Sequence, residues 1–316
     1  MKIALLDDYQ GVALKCADWQ GILPGADITV FNDTITDPDA LVARLEGFEI
    51  LGIMRERTPF HRALLERLPK LKLLVTTGHR NASVDVAAAR ELGITVCGTP
   101  SSAQAAAELT WALLMAAARR LDREMASFKE GGWQVGLGRD LGGATLGVIG
   151  LGRLGSLVAG YGKTFGMRVI AWSQNLTPAR AAEAGAEAVD KETLFRESDF
   201  VTIHVRLSER TEGLVNGETL ALMKPDAWIV NTSRGPIIER AALLAVLKGG
   251  KIGGAALDVF DEEPLPAGDE LRRLDNVVAT PHVGYVSREN YVVMYRVTAE
   301  NIAAFLAGKP QNVIEP

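Results

Sequence analysis

The sequence predicts an α/β protein built as two doubly wound parallel-sheet domains, and three observations lead there. Short apolar runs alternate with helix-patterned segments along the chain, which is the pattern of parallel strands covered by helices on both faces. One such run, Ala144–Ile149, leads into Gly150-Leu151-Gly152-Arg153-Leu154-Gly155. A helical pattern to Phe165 and a further apolar run, Arg168–Trp172, follow it, so strand, G-x-G-x-x-G turn, helix and strand form one βαβ unit. The chain has 316 residues, enough for two domains at roughly 150 residues each.

In order, Ile3–Leu6 and Ile28–Phe31 read as the first two strands. Asp37 caps and Pro38 opens a helix through Leu45. Ile50–Met54 is the third strand, Phe60–Leu68 a helix, Leu71–Thr76 the fourth strand, Val84–Leu92 a helix and Thr95–Cys97 the fifth strand. Ala103–Phe128 reads as one long alanine-rich helix into the second domain. Its apolar content, including Leu109, Trp111, Leu113, Leu114 and Met115, suits burial on more than one side, either between domains or in a dimer contact. Beyond the glycine turn, Val201–Val205, Ala227–Asn231, Ile252–Leu257 and Val277–Ala279 complete the second sheet. The last helix, Arg288–Ala307, is expected to return to the first domain, and Lys309–Pro316 is a short Pro-bounded tail. The expected division is residues 1–98 with 289–316 in one domain and 99–288 in the other.

Composition narrows the function classes. The net charge of −5 argues against nucleic acid or an acidic membrane surface as partner. The two cysteines, Cys16 and Cys97, lie far apart, so no disulfide framework or metal site is implied. The N-terminal apolar run is too short for a signal peptide, and no stretch is long enough to span a bilayer. A cytoplasmic enzyme is the expectation.

In its βαβ context the glycine turn reads as a dinucleotide-binding fingerprint. Gly150 allows the tight turn, Gly152 lets the backbone approach a pyrophosphate, and Gly155 lets helix and strand pack closely. The helix N-terminus offers N–H groups and a positive dipole end to the phosphates. The acidic residue that ordinarily follows the second strand and bonds the adenosine ribose is missing, because Trp172 is followed by Ser173, Gln174 and Asn175. A carboxylate there would repel a 2′-phosphate. Without it, relaxed selectivity with a lean to NADP over NAD is expected, which a nearby Arg206 would reinforce.

Ligands of such sheets bind beyond the carboxyl ends of the strands. Three predicted strands run out into an arginine (Arg234), into acids (Asp258, then Asp261-Glu262-Glu263) and into a histidine (His282). Of the four histidines, His61, His79, His204 and His282, the last has the strongest strand-end context. An arginine holds a carboxylate bidentately and polarises the adjacent carbonyl. A histidine moves the hydroxyl proton, and a carboxylate behind it fixes its tautomer and favours imidazolium. With a nicotinamide, these parts suit 2-oxo acid reduction and its reverse. Taken singly, a surface arginine, a solvated glutamate and a core histidine explain each residue equally well; their shared place at successive strand ends favours the site.

These stretches, Gly147–Gly155, Leu222–Pro225 through Asn231-Thr232-Ser233-Arg234-Gly235, Ala256–Phe260 through Glu263-Pro264, and Thr280-Pro281-His282, resemble the D-isomer-specific 2-hydroxyacid dehydrogenases over essentially the whole chain. The resemblance implies a flavodoxin-like substrate domain and a Rossmann-like dinucleotide-binding domain, a cleft that closes on substrate, and a homodimer built on the cofactor domains. It assigns Arg234 to the substrate carboxylate and carbonyl, and a Glu263–His282 pair to acid/base work. The cofactor positions it implies are Gly150, Gly152, Arg153, Leu154, Gly155, Ser173, Asn175, Val205, Arg206, Thr211, Thr232, Ser233, Asp258, His282 and Gly284, with no metal. It further implies a loop near Gly78 whose backbone N–H groups take the substrate carboxylate. There Arg80 stands where many members have a second glycine. Arg80 or His79 then selects a longer or more acidic substrate, unless Arg80 is a plain surface arginine; Arg55 and Arg57 share that rim and that ambiguity. Arg206 replaces a proline of many members, and His204 reads as structural.

The activity expected is an NAD(P)-dependent 2-oxo acid reductase of the glyoxylate and hydroxypyruvate type. Phosphoglycerate dehydrogenase is an alternative whose odds fall because no regulatory C-terminal domain follows. A non-enzymatic dinucleotide-sensing corepressor is another. Formate dehydrogenases carry glutamine in the slot of Glu263, which speaks against them.

Overall fold

The computed structural model describes Met1–Pro316, and the chain divides into two compact units, Met1–Ser102 with Val286–Pro316 and Ala103–Tyr285. The first unit holds β1 (Lys2–Leu5), β2 (Asp27–Val30), β3 (Ile50–Ile53), β4 (Leu73–Thr76) and β5 (Thr95–Gly98) in the order β2-β1-β3-β4-β5, every ladder parallel. Side chains of a strand alternate between faces, so Ala4, Leu51, Ile53, Leu74 and Val96 join one apolar cluster with Leu41, Leu45 and Leu65 of the covering helices. The helix Arg288–Leu306 belongs to this unit and packs on β4.

The second unit holds β6 (Thr145–Ile149), β7 (Arg168–Trp172), β8 (Glu187–Ala188), β9 (Phe200–Ile203), β10 (Trp228–Asn231), β11 (Gly254–Leu257) and β12 (Val277–Ala279), ordered β12-β11-β10-β9-β6-β7-β8 and again all parallel. The same alternation divides its core. Leu146, Val148, Phe200, Trp228 and Val230 face one cluster, and Ile149, Val201, Ile203 and Ile229 the other. Strand order reverses between β6 and β9, which makes the carboxyl ends of those two strands the crevice where such sheets take ligands. No helix is long and apolar enough to cross a membrane.

Two expected helices are corrected, and the tail gains a pairing partner. The run expected as one helix over Ala103–Phe128 is two, Ala103–Arg119 and Leu121–Lys129. Arg120 between them adopts a left-handed φ of 50°, held by its guanidinium donating to the Asp275 carbonyl. The helix expected over Phe60–Leu68 is only Arg62–Leu65, because Phe60 instead bridges to Val84. The tail is part of the first sheet's edge: Val313 bridges Cys97 antiparallel, and the Ile314 N–H donates to the Val96 carbonyl.

Candidate active site

The glycine turn follows β6. Gly150 has a left-handed φ of 91°, and a methyl there would lie 2.8 Å from the His204 carbonyl carbon after β9. A methyl on Gly155 would fall on the Gly150 carbonyl oxygen, so the helix Arg153–Thr164 can start this close to the strand only with glycine. Gly152, the N-cap, faces open space and no side chain caps the helix. The first-turn N–H groups of Arg153, Leu154 and Gly155 lack i−4 acceptors within the helix. An open backbone cradle with outward N–H groups fits a pyrophosphate. Ser173, after β7, turns its hydroxyl inward to accept the Leu151 N–H at 3.1 Å, while Asn175 is exposed.

After β9, His204 hydrogen-bonds Thr202 Oγ1 at 2.8 Å, and burial drops its pKa from 6.5 to about 3. At neutral pH the imidazole is uncharged. Val205 beside it is half-buried and its carbonyl accepts the Ser233 hydroxyl. Arg206 is exposed, and its carbonyl takes the Thr211 hydroxyl.

β10 ends at Asn231, whose side chain folds the next three residues back on themselves. Its Oδ1 accepts the Ser233 N–H at 3.0 Å and its Nδ2 donates to the Arg234 carbonyl at 2.9 Å. Thr232 meets Thr110 Oγ1 at 2.6 Å. Arg234 is extended (φ −150°, ψ 141°), half-buried, and donates from Nη1 to the Ser233 carbonyl at 2.7 Å.

β11 runs into Asp258, which is fully buried. Its carboxylate accepts from the Thr280 hydroxyl at 2.6 Å and from the Val283 and Gly284 N–H groups at 2.8 Å each. Burial pushes this carboxyl up against those three donors and His282. The clamp gathers the loop after β12 around one carboxylate, and His282 inside it takes a left-handed φ of 52°. His282 Nδ1 lies 2.5 Å from Glu263 Oε2. The other Glu263 oxygen accepts the Phe260 N–H at 2.9 Å. Burial pushes the Glu263 carboxyl up, but the His282 bond and charge, the Phe260 N–H and the Arg234 charge outweigh it and hold it below the usual carboxylate range. The Tyr285 ring stands edge-on to the imidazole, centroids 5.8 Å apart.

Arg234, Glu263 and His282 therefore share one edge of the second unit, on β10, β11 and β12, which are neighbours in the sheet. Two residues that sequence reasoning left out tie them together. Asn231 shapes the arginine's turn, and the Phe260 backbone touches Gly235 on one side and Glu263 on the other. A polar residue closing an otherwise apolar strand was the available signal for Asn231; nothing local signals the Phe260 contact.

In the first unit, Gly78 stands in the loop after β4. The Gly78 N–H donates to Thr99 Oγ1 at 2.9 Å, so it is engaged within its own unit. His79 and Arg80 are exposed, and their N–H groups make no hydrogen bond to the protein backbone. Arg55, after β3, has a left-handed φ of 53°. Thr77 Oγ1 accepts its N–H at 2.9 Å and Asn81 Nδ2 donates to its carbonyl at 2.6 Å. Its guanidinium covers the face of Gly78 where a side chain would stand. Arg57 lies 4.1 Å over the Tyr9 ring and donates to the Asp7 carbonyl.

The chain is similar to known proteins over most of its length. Residues 111–284 match the family model of the D-isomer specific 2-hydroxyacid dehydrogenase NAD binding domain. The chain is 42% identical over 262 residues to a glyoxylate reductase of Thermococcus litoralis, covering 79% of each chain. It is 41% identical over 261 residues to a hydroxypyruvate reductase of Thermotoga maritima, covering 80% of this chain and 83% of that one. A solved phosphoglycerate oxidoreductase of Vibrio cholerae o395 superimposes with a TM-score of 0.93 at 40% identity, over 98% of this chain and 99% of that one. A nicotinamide-dinucleotide cradle and a carboxylate-backed histidine on such a sheet, with these relatives, identify the chain as a member of the D-isomer specific 2-hydroxyacid dehydrogenase family.

Proposed function

We propose that the protein reduces a small 2-oxo acid to the D-2-hydroxy acid with NAD(P)H, with Arg234 holding the carboxylate and carbonyl oxygen and His282 giving the proton. The single observation that carries this reading is the Glu263–His282 pair at 2.5 Å. Glu263 occupies Nδ1, so Nε2 is the ring nitrogen left to protonate the carbonyl oxygen, and the ionised glutamate steadies the imidazolium before transfer. Arg234, a planar fork of donors, orients the 2-oxo carboxylate and polarises the carbonyl as negative charge grows on its oxygen. The bound nicotinamide supplies the hydride. The Asp258 clamp keeps the His282 loop in place, and the cradle at Gly150, Gly152 and Gly155 takes the pyrophosphate.

For the first unit, the N–H groups of the exposed His79 and Arg80, with Arg55 over Gly78, support a carboxylate-binding role for this loop. They also support a preference for a longer or more acidic substrate, which Arg80→Ala tests against a panel of 2-oxo acids. Unchanged relative kcat/KM across the panel would discard the preference. Ser173 and Asn175 in place of an acid support use of both cofactors with a lean to NADP. Exposed Phe128, Trp133 and Leu137 support a homodimer. Two free cysteines and the lack of a membrane-crossing helix are compatible with a cytoplasmic setting.

The decisive assay follows NADH and NADPH oxidation with glyoxylate, hydroxypyruvate and phenylpyruvate. Turnover near one per second or faster is expected, against a median enzyme kcat of about ten per second. His282→Gln should remove most of kcat and leave NAD(P)H binding near normal, whereas Arg234→Ala should damage both KM and kcat. Near-wild-type kcat/KM in both variants would refute the assignment. No turnover with any of the three acids, alongside tight NADH binding, would favour a dinucleotide sensor.

A further inference from the structure

We propose that Asn231 is a positioning residue for Arg234, an inference that rests on the role assigned to Arg234 above. β10 is otherwise apolar, Trp228-Ile229-Val230, and runs between two parallel neighbours, β9 and β11. Asn231 at its end is 1% exposed. A carboxamide at such a place is costly unless both its ends are satisfied. Both are, and by the one segment that leads to Arg234: Oδ1 takes the Ser233 N–H at 3.0 Å and Nδ2 gives to the Arg234 carbonyl at 2.9 Å. The amide thus closes a ring over Thr232–Arg234 and sets where the main chain of Arg234 lies. On the other side, Gly235 is seated against the Phe260–Asp261 peptide. Arg234 is pinned between a side-chain clamp and a backbone contact.

The same residue reaches the histidine by its main chain. The Asn231 carbonyl accepts the Asp258 N–H at 3.0 Å, and Asp258 is the carboxylate that gathers the His282 loop. One residue therefore fixes the arginine's turn with its side chain and abuts the histidine's clamp with its backbone. The Asn231 side chain is buried and both its hydrogen bonds go to the segment that carries Arg234, so its effect on the reaction is through Arg234.

The test is a double-mutant cycle on the full-length protein. Asn231→Asp keeps the acceptor for Ser233 but turns a carboxyl oxygen towards the Arg234 carbonyl. Kinetics are measured with glyoxylate and hydroxypyruvate, and NADH affinity by fluorescence titration. Asn231→Asp is expected to lower kcat/KM about ten- to hundredfold, chiefly through KM, with NADH affinity unchanged within about twofold. In an Arg234→Ala background it is expected to cost no more than about threefold further, since the group it positions is gone. Asn231→Ser, which offers a shorter acceptor and no amide donor, runs through the same cycle should the aspartate variant not fold. A further tenfold loss on top of Arg234→Ala, or a parallel loss of NADH affinity, would show a general structural role and overturn the inference alone. Near-wild-type activity of Arg234→Ala would overturn the assignment of Arg234 and this inference with it.

Discussion

Gly235→Ala is the sharpest probe of how the two halves of the proposed catalytic group are joined. Gly235 follows Arg234 and is pressed against the Phe260–Asp261 peptide. A methyl at this position would lie 2.5 Å from the Asp261 nitrogen, nearer still to the Phe260 carbonyl, where ordinary contact begins at 3.4 Å. The shortfall at the nitrogen alone is 3.4 − 2.5 = 0.9 Å, and both partners are backbone, so no side chain can swing away. Either the Arg234 segment or the Phe260 turn must retreat by at least that distance, since the Phe260 carbonyl carbon would lie 2.1 Å away. If the Phe260 turn moves, it carries the N–H that holds Glu263 Oε1, and with it the carboxylate behind His282. A misplacement of about 1 Å in a catalytic group costs on the order of 100-fold in rate, so kcat/KM with glyoxylate should fall by about that factor. The cradle at Gly150–Gly155 lies on another strand, so NADH affinity should stay within about twofold. Steady-state kinetics with NADH fluorescence titration decide it. A variant that keeps kcat/KM within threefold would show that Arg234 and Glu263 are not held through this contact.

Three further outcomes are expected. Burial lowers the pKa of His204 to about 3 in the fold, against an ordinary 6.5, so between those values the unfolded chain binds the extra proton and stability falls as the solution is acidified from pH 6.5 towards 3. His204→Asn should flatten the stability profile by up to about 1.4 kcal/mol per pH unit in that window, read by urea denaturation; an unchanged profile would mean that the imidazole is not buried neutral. Ser173→Asp should shift the NADPH/NADH ratio of kcat/KM towards NADH by tenfold or more by placing a charge where a 2′-phosphate would lie, and a wild-type preference for NADH of a hundredfold, about 2.7 kcal/mol, would show the lean to NADP to be mistaken. Trp133 and Leu137 are 73% and 96% exposed, and if they seal the proposed homodimer, replacing them with Glu and Asp should halve the mass read by light scattering, whereas an unchanged mass would remove them as its interface.

Much of the fold was legible because its signals are local. Apolar runs bounded by turns marked most of the strands, and the glycine spacing marked the cradle. Arg234, Glu263 and His282 stood out because chemistry-bearing residues followed three strands in succession, and the sheet order β12-β11-β10 makes those ends neighbours. What stayed hidden was decided by distant partners. Arg120 at the helix break reaches the carbonyl of Asp275, Val313 pairs with Cys97, and the two-residue strand Glu187–Ala188 is defined by its pairing with β7. At Gly78 the glycine itself was legible, but not that its N–H donates to Thr99, twenty-one positions on. A motif names the residue, but its hydrogen-bond partner comes from elsewhere in the chain.

The way these groups are mounted also bears on the chemistry. The Asp258 N–H donates to the Asn231 carbonyl at 3.0 Å, and the Thr280 N–H to the Leu257 carbonyl at 2.9 Å. The parallel ladder therefore continues from β10 to β11 and from β11 to β12 into the residues that carry or clamp Arg234 and His282. Their spacing is inherited from the register of the sheet, whose pitch of about 4.8 Å between strands is not free to drift. Reduction of a carbonyl needs a proton donor and a carboxylate anchor held in fixed relation, and groups preorganised on rigid elements need little rearrangement as charge develops. Glu263 is the exception, since it lies five residues past Asp258 in an exposed turn, and there the Phe260 N–H and the imidazole do the holding. That is the point at which the site depends on side chain and turn more than on sheet, and it is why a single methyl at Gly235, beside that turn, is expected to reach the histidine.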